Sequence, residues 1–147
     1  MRGIANSSPL IALSRIDRLD IFQQLFGQLL IPHAVYQEIV LQCPNRLEKA
    51  RLQKGIDTFI EIVHPRLSRV FSRNLGRGEC EVLNLALDKH PDILLIDDKR
   101  ARYEAQELGF IPTFTTDVLK EAEHRHLIAS YREILQELYK QEIYLPE

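Results

Sequence analysis

The run Ile93-Leu94-Leu95-Ile96, closed at once by Asp97-Asp98, constrains this chain more than any other feature. Four successive apolar residues leave no polar side to turn toward water, so the run is expected as a central parallel strand buried on both faces. A parallel sheet requires crossover helices, and along the rest of the chain short apolar runs alternate with stretches of helical periodicity. The expectation is an α/β fold with a central parallel sheet flanked by helices. At 147 residues it is expected to be one domain, spanning 1–147. A composition that is 45% hydrophobic and 27% charged allows a real core and excludes a disordered or fibrous chain. No apolar run is long enough for a bilayer. The opening MRGIANSSPLIAL has neither a long apolar region nor a small-residue cleavage site. No membrane association and a cytoplasmic location are therefore expected. Cys43 and Cys80 form neither a disulfide framework nor a zinc-type pairing.

The remaining elements follow from capping and periodicity. Arg2 to Ala5 reads as a short strand, after which Ser8 as N-cap and Pro9 at the first helical position open a helix with Leu10, Ile11 and Leu13 inward. A second helix is expected from Asp17 or Arg18, with Leu19, Ile21, Phe22, Leu25 and Phe26 inward and Gly27 closing it. Leu29 to Ile31 reads as a strand, and Pro32 opens a helix carrying Val35, Ile39 and Val40 that Pro44 breaks. A charged helix over 46–54 and an edge strand from Phe59 to Val63 come next. A helix from Glu79 places Val82, Leu83, Ala86 and Leu87 on one face. After the central strand come a helix over 99–108, a last short strand over 112–116, and terminal helices over 117–126 and 131–142.

Sites in open α/β sheets lie at the carboxyl ends of the strands. Four polar positions are expected at that edge: Asn6 after the first strand, Glu38 on the helix after the second, Glu79 before the central strand and Asp98 directly after it. Clustered carboxylates repel unless a cation neutralises them. An all-oxygen set suits Mg²⁺ or Mn²⁺, which would activate water and stabilise charge on a phosphodiester. Each residue also has an ordinary reading: a turn for Asn6, a solvated helix position for Glu38, and favourable placement at a helix N-terminus for Glu79 and Asp98. A net charge of −2 excludes a strongly basic coat protein but not a nuclease. Residues 62–78 contain no acid and carry Arg66, Arg69, Arg73 and Arg77, which read equally as a grip on RNA phosphates or as a solvated loop. Lys99, Arg100 and Arg102 either extend that patch or form the wet face of a helix. His33, His64 and His90 read as isolated, and His124 and His126 fall on different sides of a helix. Gly76-x-Gly78 lacks the fingerprint of a phosphate loop and permits the turn before Glu79.

The segments NSSPLIALSRIDRLD, LLIPHAVYQEIV, LGRGECEVLNLALD and ILLIDDKRARYEAQELGF, in that order and spacing, resemble the PIN-domain family and its DUF3368 branch over nearly the whole chain. The resemblance implies a three-layer α/β/α fold with an acidic cavity and a Mg²⁺- or Mn²⁺-dependent endoribonuclease, the toxin of a toxin–antitoxin pair. It implies Glu38, Glu79 and Asp98 as the catalytic acids holding the metal, with Asn6 a neutral ligand and Asp97 a water-mediated neighbour. Ser8 takes the place of a hydroxyl near the metal. A homodimer and a small antitoxin protein are the implied partners beside the RNA substrate, with Phe22, Leu25, Phe26 and Tyr36 on the helices that serve them in the family; from the residues alone these four read as core. Two positions depart from the pattern: Asn6 stands where the family has Asp, and Ile96 where it often has a hydroxyl residue. The alternative is thus a degenerate PIN domain that binds RNA or a protein partner without cleavage. A third reading is a pure interaction module.

Overall fold

The computed structural model describes residues 1–71 and 74–147. The strands are β1 (Arg2–Ala5), β2 (Gln28–Pro32), β3 (Ile60–Val63) and β4 (Ile93–Leu95), in the order β3-β2-β1-β4. All three pairings are parallel, with Ile4 opposite Leu30, Ala5 opposite Leu95 and Pro32 opposite Val63. Every carboxyl end therefore points to one edge. Helices α1 (Ser7–Arg15) and α2 (Asp20–Leu25) connect β1 to β2. Helix α3 (His33–Tyr36) runs on into a π turn (Gln37–Leu41), and α4 (Arg46–Thr58) leads into β3. Helix α5 (Arg77–Lys89) precedes β4, and α6 (Lys99–Glu107), α7 (Thr115–His124) and α8 (Tyr131–Lys140) complete the chain. The sheet flanked by these helices is the three-layer α/β/α arrangement.

One buried cluster joins the layers. Ile4, Leu30 and Leu95 from the sheet meet Leu10 and Leu13 of α1, Phe22 of α2 and Leu83 of α5. Phe22, Leu25 and Phe26 are core residues, and Tyr36 packs half-buried against the core cluster. Among the described residues no helix is long and apolar enough to cross a membrane.

Several elements start or end elsewhere than periodicity alone suggests, where a cap or a left-handed residue intervenes. Asn6, not Ser8, caps α1: its Oδ1 accepts from the Ser7 N–H at 2.8 Å. Pro9 then falls at the third helical position, where a missing N–H still costs no intrahelical bond. Asp17 has a left-handed backbone (φ 56°), so α2 begins only at Asp20. Asn45 accepts from the N–H groups of Leu47 and Glu48, and α4 runs through Thr58. Left-handed His126 and Glu142 follow the early ends of α7 and α8.

The Ile93–Ile96 run is a correction. Leu94, Leu95 and Ile96 are buried as expected and Ile93 is half-buried, but β4 is the outermost strand of the four, flanked beyond by a single bridge from Leu95 to Thr113. The strand expected over 112–116 shrinks to that bridge. Asp97 accepts from the Thr115 N–H and hydroxyl, and Asp117 accepts from the Phe114 N–H, so α7 nucleates at Thr115 instead.

Candidate functional site

The edge at the carboxyl ends is assembled around Ser7. The Asn6 N–H donates to the Leu95 carbonyl at 3.1 Å, tying the end of β1 to the end of β4. The buried Ser7 at the start of α1 donates its hydroxyl to Glu38 Oε2 at 2.5 Å. On its other side the Glu38 carboxylate lies over Gly78. A Cβ there would collide with Oε1 and stand 3.1 Å from Cδ. Glu79 folds back over the start of its own helix, where a Cβ on Gly76 would meet its carboxylate, 3.4 Å from Cδ. The positive end of α5 favours both acids.

Two residues that sequence reasoning passed over hold this arrangement. Buried Glu81 accepts from the Ala34 N–H at 3.0 Å and from Arg77 Nε at 3.2 Å, locking the start of α3 onto α5 and hence Glu38 against Gly78. Buried Asn84 accepts from the N–H groups of Ser68 and Arg69 at 3.1 and 3.0 Å. Its amide donates to the carbonyls of Arg69 and Cys80. The arginine-bearing loop is thereby stapled to α5. The Arg77–Glu81 spacing of four was a readable signal for the first; nothing local marks the second.

The other site residues divide. Ser7 links Asn6 and Glu38, while Glu79 lies apart over Gly76 in the first turn of α5. Asp98 follows β4 at the same edge, exposed, and caps α6 by accepting from the Ala101 N–H at 3.0 Å. Asp97 is committed to Thr115; burial pushes its carboxyl above the ordinary value, the Thr115 bonds and Arg102 pull it back, and Asp117 adds to the rise. Ser8 is exposed, and the hydroxyl on Glu38 belongs to Ser7. Arg66, Arg69 and Arg100 are exposed, Arg77 pairs with Glu81, and Arg73 lies outside the described residues. Arg102 is no wet-face residue: it donates to the Ile96 carbonyl at 2.9 Å and its guanidinium sits 3.5 Å over the Phe114 ring. His33 and His64 are not isolated either. Their rings stack at 4.6 Å between centroids and 23° between planes.

The candidates Asn6, Glu38, Glu79 and Asp98 offer only oxygen donors, which suits a hard divalent cation in kind. As arranged, no three acidic, histidine or cysteine side chains among the described residues stand close enough to hold one. Asn6, Glu38 and Asp98 each have a local donor in place.

A family model, DUF3368, described as a PIN domain, matches residues 2–147. The chain belongs to the PIN-domain family. PIN domains are generally nucleases and usually use divalent metal ions. No curated protein matches the chain significantly. Among solved structures, this PIN domain is similar to a PilT N-terminus domain protein from the hyperthermophilic archaeon Sulfolobus solfataricus P2. The two are 17% identical with a TM-score of 0.64, covering 83% of this chain and 93% of that one. It is also similar to a domain of a functionally unknown protein from Methanocaldococcus jannaschii, at 19% identity and a TM-score of 0.52, covering 77% and 89% respectively. At these identities the likeness is one of fold.

Proposed function

We propose that this PIN domain is a metal-dependent endoribonuclease. The observation that carries the reading is the Glu38 carboxylate held between the Ser7 hydroxyl and Gly78, at the carboxyl edge of a parallel sheet. Glu38, Glu79 and Asp98, with Asn6 as a neutral ligand and Asp97 acting through water, would hold Mg²⁺ or Mn²⁺. When bound, such an ion neutralises a phosphodiester and makes water a better nucleophile. Ser7 fixes the orientation of Glu38, and Glu81 fixes the distance between α3 and α5. Exposed Arg66, Arg69 and Arg100 would contact phosphates, with forked donors that match phosphate oxygens. We further propose that it acts as the toxin of a toxin–antitoxin pair, working as a homodimer and restrained by a small antitoxin protein.

A second reading, a PIN domain that binds RNA or a protein partner without cutting, is favoured by the neutral Asn6 and by the absence of a gathered acidic triplet among the described residues. One experiment separates them: incubation of a mixed RNA pool with Mn²⁺, with EDTA, and with the Glu79→Ala and Asp98→Ala variants. Cleavage that needs Mn²⁺ and both acids supports the nuclease. No cleavage by the folded protein refutes it and leaves the binding-only reading, for which Asn6→Asp is the next variant.

A further inference from the structure

We propose that the His33–His64 pair is a nucleobase-stacking subsite beside Glu38. The proposal rests on the RNA reading above. Register brings the two rings together: Pro32 and Val63 are paired across β2 and β3, and each histidine is the next residue along its strand. Both stand at the carboxyl edge that carries Asn6 and Asp98. Their rings lie 4.6 Å apart and 23° from parallel, and the Tyr36 ring stands 5.9 Å from that of His33. His33 opens the same helical stretch that delivers Glu38 five residues later.

His64 is exposed and His33 half-buried, so the stack ends in a ring at the surface and adds little to the core. The chain that follows His64 is positively charged. The chain leaves His64 into the acid-free stretch 62–78 and places exposed Arg66 and Arg69 next, with Arg69 fixed through Asn84. Flat rings for bases and neighbouring arginines for phosphates are the two components that single-stranded RNA sites combine. A duplex keeps its base faces stacked on each other and offers the pair nothing.

The test is binding of a fluorescein-labelled 12-nucleotide single-stranded RNA, its duplex, and an abasic strand of the same length, all in EDTA. Stacking on a side chain predicts that His64→Ala weakens single-strand binding roughly fivefold to a hundredfold, with duplex and abasic binding unchanged. The slope of affinity against salt should stay the same, since no phosphate contact is lost. His64→Phe, which keeps an aromatic ring, should restore affinity to within about twofold. Single-strand binding by His64→Ala within twofold of the unmodified chain overturns the subsite while leaving the RNA reading in place. So does a shallower salt slope or a failure of the folded Phe variant to rescue. If the unmodified chain retains none of the three probes, subsite and RNA reading fall together.

Discussion

Gly78→Ala should disturb one carboxylate and almost nothing else. The Gly78 backbone is helical, so an alanine fits the chain conformation and only space is at issue. The new methyl would collide with Glu38 Oε1 and press on Cδ at 3.1 Å. That obstacle is the end of a side chain, so Glu38 moves and gives up its bond from Ser7 at 2.5 Å. A hydrogen bond to a charged group contributes about 1.5–3 kcal/mol. Replacing glycine by alanine in a helix returns up to about 1 kcal/mol. The net cost of Gly78→Ala is thus roughly 0.5–2 kcal/mol. Ser7→Ala removes the same bond without the helical gain and should cost about 1.5–3 kcal/mol. The double variant loses the bond once, so it should be more stable than the sum of the single costs implies by about the value of that bond. Urea denaturation of the four proteins measures the cycle and requires no catalytic activity. Costs that add within about 0.5 kcal/mol would refute the reasoning. On the nuclease reading, Gly78→Ala should also lower Mn²⁺-dependent cleavage.

Three further outcomes are expected. Asn84→Ala removes the acceptor for two loop N–H groups and should cost about 2 kcal/mol or more, with faster hydrogen exchange at the Ser68 and Arg69 amides; unchanged exchange there would mean the loop is held by something else. The carboxyl of Asp97 is raised in the folded state above its ordinary 3.8. Its contribution to stability is therefore complete below that value and is lost as pH rises through the raised one. Asp97→Asn should flatten this part of the stability–pH profile, read as urea midpoints; an unaltered profile counts against the assignment. Asn6→Asp keeps the capping acceptor and adds a charge at the site, so stability should change little while calorimetric Mn²⁺ affinity rises; no gain in affinity would place Asn6 outside the ion's reach.

Strand segments were legible because apolar runs of the right length announce them, and Asn6, Glu38, Glu79 and Asp98 all lie at the carboxyl edge as their positions after strands and on helices suggested. The misreadings concern interactions that sequence distance conceals. Burial does not require two strand neighbours: Leu94 and Leu95 are buried although β4 has one strand partner and a single bridge at Thr113. Helix α7 starts at Thr115 because Asp97, eighteen residues earlier, captures it. Ser7 and Ser8 differ by one position, yet that is about 100° around a helix, enough to bring one to Glu38 and leave the other in water. His33 and His64 looked isolated because their contact exists only once β2 and β3 are in register. Asn84 looks like any polar helix residue until the loop above it is in place.

The strand order also sets a timetable for making the protein. β1 emerges first and ends in the sheet's interior, with β2 on one side and β4 on the other. Its β2 neighbour follows soon, but the other flank stays bare until Ile93–Leu95 has been synthesised, some sixty residues after β2. At ribosomal speeds of about 5–20 residues per second, that is roughly three to thirteen seconds. Throughout that interval the nascent chain presents the unpaired side of β1, a row of backbone N–H and C=O groups open to chaperones or to a neighbouring nascent chain.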